Sequence, residues 1–360
     1  MRTLALFVSI LCAIQALPLD KTAIQPKILQ PVEPAKKGLI VGAAQDVKQE
    51  INGVIESIKK DADVVVEKLD VKIEPEEKRR HHGGHGGHGG HGGHGGHGNR
   101  NPELQRLVDD MWQADQDKPH NQIDWGNPMD GNMDQSSNPL IANVDENVLQ
   151  NDQYQALLAM YQANVFTPNV CEEEQPMTGN KLQVVQNTFN AFVQTPMFQL
   201  AYKYMRDHGV AGEWNEFSQK LWNLWMGTYS RCHHRAQGSS GWEHVFIGEW
   251  KGNEVDGQHS WVKYYTLQQA DQVDYYGYKN HDADLIGSFQ YTWENHLKRL
   301  GGFFLNTSPA FDFSLLTVCA LTEPGANGCR FMLENFPVSV TSYTQSCDAG
   351  ICLATAYPAE

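Results

Sequence analysis

The chain has 360 residues, of which 41% are hydrophobic, and it carries a formal charge of −15 at neutral pH. This length is sufficient for one large or two medium domains with substantial cores. Residues 99–360 hold 15 basic and 31 acidic side chains, a formal charge of −16. The acidic balance excludes the broadly basic surface that is typical of nucleic-acid-binding proteins.

The first residues have the pattern of a secretory signal peptide. Arg2 precedes an apolar run from Leu4 to Ile14, which small residues close around Ala16. The run is too short to span a bilayer, and the chain contains no later candidate of sufficient length. We therefore predict a signal peptide at residues 1–16 and a secreted product without a transmembrane segment.

Residues 17–80 are predicted to form a separate segment. Residues 17–38 are rich in Pro and Lys, and residues 40–73 predict an amphipathic helix from the apolar stripe Val47, Ile51, Val54, Ile58, Val65 and Leu69. Its stripe needs a partner, so the segment docks on the rest of the chain, self-associates or is a removable pro-segment. The basic run at residues 78–80 is either a processing site or a solvated stretch.

Residues 81–98 are a low-complexity tract of glycines spaced by histidines. It has no apolar surface to offset the entropy of ordering, so it predicts a flexible linker. Its seven imidazoles are also suited to binding Zn²⁺, Cu²⁺ or Ni²⁺, and they gain charge below about pH 6.

From residue 99 the composition becomes globular. Leu107, Met111 and Trp112 lie on one helical face, a polar loop extends to about 138, and helices dominate from Asp152 to Tyr229. A core stripe of one such helix is Trp214, Phe217, Leu221, Trp222 and Trp225. The strands predicted after them are His244–Trp250, Ser260–Leu267, Ser288–Trp293, Phe313–Leu321, Arg330–Thr344 and Ile351–Tyr357. Helices followed by strands indicate an α+β fold, with a helical N-terminal lobe and a β-rich lobe.

Six cysteines remain after Cys12 leaves with the signal peptide, and an even number in an exported chain predicts three disulfides. Fifteen connectivities are possible for six cysteines. Apparent short hairpins favour the pairs Cys319–Cys329 and Cys347–Cys352, which leaves Cys171 with Cys232. A metal site at His233 and His234 is the alternative, but neighbouring side chains on a strand point apart.

Two histidines flank a predicted β-hairpin. His244 and His259 lie on either side of a turn signal at residues 251–254, so the hairpin brings both imidazoles to one cavity as a general acid and a general base. Lys298, near the pair Gly301-Gly302, supplies a cation. Attack of a ribose 2′-OH on its phosphodiester requires such a base, acid and positive charge. The simpler interpretation is that these are locally hydrogen-bonded histidines and a solvated lysine.

Five strings resemble the EndoU family, the poly-uridylate-specific endoribonucleases that include placental protein 11. The strings occur in the family's order and lie within residues 100–360: Leu107–Asp115, Leu221–Trp225, Ser239–Phe246, Thr307–Phe313 and Ala354–Pro358. The resemblance implies an EndoU-like endoribonuclease domain at residues 99–360. It makes His244 the general acid, His259 the general base and Lys298 the electrostatic stabiliser.

The resemblance also assigns supporting residues. Glu243 and Glu249 stand where the family has functionally important acids, and Tyr357, with Thr355 beside it, stands near the uracil-binding end of the site. Where the family often has a serine that contacts the base, this chain has Gly302. Glycine offers only its backbone N–H, so we expect a looser preference for uridine over cytosine. The structural alternative for Glu243 and Glu249 is that they only orient an imidazole. For Tyr357 it is a side chain that packs in the terminal strand.

The acidic balance has two explanations if the substrate is an RNA. The acids lie away from the site, or they hold divalent cations. Related enzymes are stimulated by such ions, so the resemblance implies Mn²⁺ or Ca²⁺ as an activating rather than catalytic cation. Carboxylate ligands suit both ions, and acids are concentrated at Asp109, Asp110, Asp115, Asp117 and residues 172–174. Solvated acidic faces are the alternative.

Three functions follow from these patterns. The first is a secreted endoribonuclease that cuts single-stranded RNA, preferentially at uridines, to a 2′,3′-cyclic phosphate and a 5′-hydroxyl. The second is a secreted RNA-binding protein on the same scaffold with weak or no cleavage, motivated by Gly302 and the acidic balance. The third is an extracellular metal-binding protein that acts through residues 81–98. The sequence gives no oligomeric state.

Overall fold

A computed structural model describes residues 101–233 and 236–359 of the chain. The predicted signal peptide at 1–16, the segment at 17–80 and the His/Gly tract at 81–98 lie outside these residues and stay predictions. Within the described part, helices come first and most strands follow. The predicted α+β class is therefore confirmed.

The N-terminal lobe is built from five helices. The first helix begins at Pro102, and the side chain of Asn101 just before it accepts hydrogen bonds from the backbone N–H groups of Glu103 and Leu104. A two-stranded ribbon and a 3₁₀ turn at Val148–Gln150 fill the connection to the second helix. The elements are α1 Pro102–Ala114, β1 Gln122–Ile123, β2 Ile141–Asn143, α2 Asp152–Ala163, α3 Gly179–Val193, α4 Pro196–Asp207 and α5 Trp214–Met226.

The core of this lobe is aromatic. On α5 the predicted stripe is confirmed, because Phe217, Leu221 and Trp225 are buried and the other two tryptophans pack against the core. Trp225 contacts Trp242 at 6.1 Å and Phe313 at 5.0 Å between ring centroids. These contacts join the helical lobe directly to the segment that carries His244.

The C-terminal lobe contains two larger sheets. One has the order β3-β4-β7-β6-β5, in which β4 and β7 run parallel and the other neighbours run antiparallel. The other is the meander β10-β9-β8. The elements are β3 Glu249–Lys251, β4 Glu254–Gly257, α6 Trp261–Gln269, β5 Val273–Asp282, β6 Ile286–Trp293, β7 His296–Phe304, α7 Pro309–Thr322, β8 Gly325–Leu333, β9 Phe336–Cys347 and β10 Gly350–Ala359.

Three of the predicted strands are wrong. His244–Trp250 contains a π-helical turn at Glu243–Ile247, and only its end joins β3. Ser260–Leu267 falls in α6, and Phe313–Leu321 falls in α7. α7 is buried on every side from Pro309 to Ala320, and an apolar run of this kind cannot be told from a buried strand by its periodicity.

The other predicted strands are present. Ser288–Trp293 and Ile351–Tyr357 lie within β6 and β10, whereas Arg330–Thr344 is not one strand but the antiparallel pair β8 and β9. No helix among the described residues is long and apolar enough to cross a membrane.

All three favoured disulfides are present. They are Cys171–Cys232, Cys319–Cys329 and Cys347–Cys352. The last of these closes the β9–β10 hairpin, as expected. The pair Cys319–Cys329 was correct for the wrong reason, because it joins helix α7 to strand β8 rather than two strands of a hairpin.

Candidate active site

His244 lies on a π-helical turn at the junction of the two lobes. The turn ends at Gly248, whose φ of 92° lies in a region that L side chains rarely adopt. A Cβ atom there would also lie 2.7 Å from the ring of Trp293. Glycine therefore allows the chain to leave the turn and enter β3, which carries Glu249 back beside His244.

His259 follows the short hairpin of β3 and β4. The backbone N–H of His259 donates to the carbonyl oxygen of Val245 at 2.9 Å, which ties it to the π-helical turn. Gly257 lies against His244, and a Cβ atom there would approach the imidazole Nδ1 to 2.6 Å. The predicted hairpin thus brings the histidines together, but both lie outside its strands.

The two imidazoles lie side by side, with ring centroids 5.4 Å apart. The Nδ1 atom of His259 is 3.0 Å from the carbonyl oxygen of Gly302. Because a carbonyl only accepts, Nδ1 carries the proton, and in the neutral ring Nε2 is an acceptor. Tyr357 stacks on the same ring at 4.8 Å and 12°. The neighbouring strands therefore fix both the orientation and the tautomer of His259.

Lys298 provides the positive charge at this place. It lies on β7, is 4% exposed, and donates from Nζ to the carbonyl oxygen of Asp256 at 3.1 Å. Burial lowers its pKa to about 8, against the opposing effect of the acids Asp256 and Glu249. The ammonium group is therefore largely charged at neutral pH.

A cleft of about 600 Å³ opens at these groups, a volume within the usual range of small-molecule sites. Six of the predicted site residues line it: His244, His259, Lys298, Gly302, Thr355 and Tyr357. The hydroxyl oxygen of Thr355 is buried without a hydrogen-bond partner among the described residues. The structure thus brings together residues from the π-helical turn, β7 and β10.

Glu249 lies behind His244 and does not line the cleft. One of its oxygens, Oε1, contacts Nδ1 of His244 at 2.8 Å, accepts from the Ser239 hydroxyl at 3.0 Å and forms an ion pair with Nε of Arg231 at 3.0 Å. Burial raises the pKa of Glu249 to about 8, although the nearby Arg231 lowers it. The His244–Glu249 pair therefore holds a proton close to neutral pH, and the proton belongs to the pair.

Glu243, to which the resemblance gives a supporting role, does not line the cleft. Its carboxylate accepts from the Ser240 hydroxyl at 2.7 Å and faces Glu174, which is paired with Lys181. Burial raises the pKa of Glu243 well above its usual range, and Glu174 acts in the same direction. Glu243 therefore supports the π-helical turn from within the protein.

Both imidazoles are neutral near pH 7. Burial lowers the pKa of His244 and that of His259 well below their usual range, and the charges of Lys298 and Arg231 contribute to both shifts. Both rings are therefore unprotonated, and Nε2 of His259 is left as a free acceptor.

One further residue of the site, Arg231, was missed by sequence reasoning. Arg231 lies in the cleft wall, where Nη1 is 3.5 Å from the carboxylate of Asp256 and Nη2 donates to the Tyr229 hydroxyl at 2.8 Å. Arg231 belongs to a loop without periodicity. The only available signal was its position next to the disulfide residue Cys232.

The glycine at position 302 has a packing reason. A Cβ atom there would lie 2.0 Å from the carbonyl oxygen of Pro358. No side chain fits without moving β7 away from β10. The absence of a serine at this position follows from the close approach of the two strands.

One group of side chains among the described residues has the spacing of a metal site. The ligand atoms of His244, Glu249 and Asp256 lie within 4.8 Å of one another. The guanidinium of Arg231 already contacts both carboxylates, and Lys298 is beside them. A divalent cation does not fit there, because it would displace or repel two fixed positive charges.

The predicted acidic clusters also do not form a metal group within the described residues. Asp109 and Asp110 point to solvent, Asp115 is buried, and Asp117 accepts from Asn151 and Gln153. In the run at 172–174 the first two acids are exposed and the third is paired with Lys181.

The cleft thus combines two buried imidazoles, His244 and His259, with the cation Lys298, and all three line a cavity that is open to solvent. The sequence pattern of the endoribonuclease XendoU matches residues 103–358. This match covers more than half of the chain, which therefore belongs to the XendoU endoribonuclease family.

Individual relatives agree with this assignment. The chain is 32% identical over 218 residues to a uridylate-specific endoribonuclease of Paralichthys olivaceus, covering 59% of this chain and 55% of that protein. It is 29% identical over 283 residues to poly(U)-specific endoribonuclease-A of Xenopus laevis, covering 72% and 94%. The solved structure of XendoU, described as a splicing-independent snoRNA-processing endoribonuclease, superimposes with a TM-score of 0.61 at 26% identity, covering 72% and 98%. The chain thus spans about half of the first relative.

Proposed function

We propose that this chain is a secreted endoribonuclease that cuts single-stranded RNA, preferentially at uridines, by attack of the 2′-OH on the adjacent phosphodiester. The products are a 2′,3′-cyclic phosphate and a 5′-hydroxyl. The observation that carries the proposal is the convergence of His244, His259 and Lys298 on one cleft, with a hydrogen bond that leaves Nε2 of His259 as an acceptor. The names of the relatives support the choice of RNA and of uridine.

His259 acts as the general base. Its Nδ1–H group is held by Gly302, so Nε2 takes the proton of the 2′-OH as the oxygen attacks phosphorus. Its lowered pKa keeps the ring unprotonated at neutral pH. The stacked ring of Tyr357 prevents the imidazole from turning away.

His244 acts as the general acid. The Nε2–H group gives its proton to the departing 5′-oxygen while Nδ1 takes the proton shared with Glu249, so the ring stays neutral. Arg231 and Ser239 hold the carboxylate in place, so that the acid remains in one orientation. This arrangement provides a protonated group next to a neutral base in the same small cleft.

Lys298 stabilises the negative charge that develops on the phosphorane oxygens, because a fixed cation in a buried place requires no reorganisation during the reaction. The chemistry is complete with these side chains. We therefore assign Mn²⁺ or Ca²⁺ a supporting role outside the cleft. Chelation with EDTA is expected to reduce the single-turnover rate by less than the loss of either histidine, whereas complete and metal-reversible inactivation would contradict this assignment.

The charge distribution supports an RNA substrate in spite of the acidic chain. Among the described residues that line the cleft, Asp256 is the single acid, and it contacts Arg231. Lys279 and Lys298 add two positive charges. The other acids among the described residues do not line the cleft, so a phosphate meets a locally positive surface.

The test is incubation of the purified chain with an oligonucleotide that contains one uridine, followed by mass spectrometry of the ends. Matched oligonucleotides carry cytidine or 2′-deoxyuridine at that position. We expect a cyclic phosphate end with uridine, slower cleavage with cytidine and no cleavage with 2′-deoxyuridine. Cleavage at the deoxynucleotide would exclude attack by the 2′-OH.

The same experiment separates the other functions. Binding of the oligonucleotide without product, with or without Mn²⁺ or Ca²⁺, would favour an RNA-binding protein on this scaffold. Deletion of residues 81–98 is expected to leave cleavage unchanged, whereas a metal-binding function of the tract predicts loss of activity. Recovery of the processed protein from the medium of expressing cells tests secretion.

A further inference from the structure

Part of the cleft wall is not used by the proposed mechanism. Lys279 and Asn280 are neighbours on β5, yet both line the cleft. Side chains of adjacent residues in a regular strand point to opposite faces. The pairing of β5 with β6 shifts between Tyr278 and Asn280, so Lys279 is the extra residue of a β-bulge. The bulge turns both side chains towards the cleft.

Asn280 belongs to a row of residues that crosses the sheet. It is paired with Ser288 on β6, and Ser288 is paired with Gly302 on β7. All three line the cleft. Neighbouring strands are about 4.8 Å apart, so Asn280 lies roughly 10 Å from Gly302. This separation exceeds the reach of one base but suits the next nucleotide of an RNA strand.

Two features of this wall indicate a ligand. The amide oxygen Oδ1 of Asn280 is buried and has no hydrogen-bond partner among the described residues, and an unpaired buried acceptor is costly. Leu300, which lines the same cleft, is 41% exposed. Leu300 offers an apolar surface for the flat face of a base. The free oxygen of Asn280 in the same cleft can accept a hydrogen bond from the edge of that base.

We propose that Lys279, Asn280, Ser288 and Leu300 form a second nucleotide subsite, which binds the nucleotide next to the one whose 2′-OH attacks. This inference rests on the proposed endoribonuclease function. Leu300 packs against the base, Asn280 and Ser288 bind its polar edge, and Lys279 pairs with a phosphate. The subsite makes the enzyme prefer oligonucleotides to isolated nucleotide esters.

The test compares two substrates with the full chain. Uridine 3′-(4-nitrophenyl phosphate) has no neighbouring nucleotide, whereas a trinucleotide with uridine in the centre has one on each side. For the wild type we expect kcat/KM to be at least about tenfold higher with the trinucleotide. Asn280→Ala loses about tenfold with the trinucleotide and less than about twofold with the nitrophenyl ester.

Lys279→Ala provides an independent variant on the protein surface. It is expected to lower the slope of log Kd against log salt by about 0.7, the value for one contact with a single strand. Lys220→Ala removes the same charge from the exposed side of α5, outside the cleft, and is expected to leave the slope unchanged. Equal melting temperatures of the variants exclude misfolding as the cause.

The outcomes separate this inference from the proposed function. If the wild type cleaves neither substrate, the proposed function fails. Binding of a trinucleotide with central 2′-deoxyuridine, followed by fluorescence anisotropy, then tests the subsite alone, and about tenfold weaker binding by Asn280→Ala supports it. If Asn280→Ala and Lys279→Ala bind and cleave the trinucleotide like the wild type, the subsite does not exist.

Discussion

Two places in the protein bury ionisable side chains in close contact, and they differ in what surrounds them. Where α1 meets α7, Asp115 accepts from the backbone N–H of Ser308 at 3.0 Å, and Asp312 accepts from the Thr307 hydroxyl. In the cleft, His244 and His259 use only one ring nitrogen each within the protein. Burial raises the pKa values of the two aspartates and lowers the pKa values of the two histidines.

The comparison shows that a perturbed pKa does not by itself mark a catalytic site. The two aspartates join helices and do not line the cleft, whereas the histidines do and keep a nitrogen free for a substrate. Access to a cavity and an unused donor or acceptor are therefore the better criteria.

The largest expected effect comes from removing an imidazole. His244→Ala and His259→Ala are each expected to lower kcat by about 10²- to 10⁴-fold, measured by single-turnover cleavage of a uridine-containing oligonucleotide. His208→Ala is the matched control, since this histidine directly follows α4, is paired with Glu103 of α1 and does not line the cleft. Wild-type turnover by a normally folded His244→Ala or His259→Ala variant would show that the histidines of the cleft are no more catalytic than the aspartates of the helix junction.

Glu249→Gln tests the proton shared with His244. The variant keeps the shape of the side chain but cannot give a proton to His244, so we expect about a 10- to 100-fold lower kcat, the scale typical of groups that orient a functional imidazole. Glu254→Gln, at an exposed carboxylate of the same hairpin that pairs with Arg299, is expected to change kcat by less than about twofold. Equal effects of both substitutions would contradict the assignment.

Lys298 and Glu249 determine the alkaline side of the pH profile. Both have a pKa of about 8, so above this pH the ammonium loses its charge and the His244–Glu249 pair loses its proton. We expect kcat to fall above about pH 8. Lys298→Arg keeps the charge and is expected to reduce the number of ionisations on that limb from two to one. An unchanged limb would show that Lys298 does not titrate there.

The smallest effect on activity is expected at the helix junction. Burial raises the pKa of Asp115 to about 6 from 3.8, so the folded state binds more protons than the unfolded state between these values. Its contribution to stability is complete below about pH 4 and is lost as the pH rises through 6. Asp115→Asn lacks this loss, and we expect it to be more stable at pH 7 by about 1–2 kcal/mol.

The control for this variant is Asp110→Asn, at an exposed position of the same helix. Chemical denaturation at pH 5 and pH 7 measures the effect, and kcat is expected to stay within about twofold of the wild type in both variants. A stability difference that shrinks as the pH rises would contradict the assigned pKa direction.

Much of the site could be predicted because local signals agree with its geometry. The turn signal between the histidines predicted their proximity, and the glycine pair after Lys298 marks the strand that carries it. The order of helices and strands also followed from periodicity. What failed were the segments in which tertiary packing overrides local preference. α6 contains tryptophan, valine and tyrosines, which favour strands, but it buries Trp261, Tyr264 and Leu267 at helical spacing.

Other features depend on contacts between distant parts of the chain. Arg231 pairs with Glu249 and Asp256 across a disulfide-bonded loop, and no local pattern encodes this. Glu243 was given a supporting role by the resemblance, and the π-helical turn directs it towards Glu174. The packing of β7 against β10 likewise explains Gly302 only when the strands are seen together.

The most direct test of the account is the separate identification of the acid and the base. An oligonucleotide with sulfur in place of the bridging 5′-oxygen has a leaving group that needs no proton. We predict that this substrate restores cleavage by His244→Ala to nearly the wild-type rate and leaves His259→Ala slow. Rescue of His259→Ala instead, or equal rescue of both variants, would contradict the assignment of a separate acid and base to the two imidazoles.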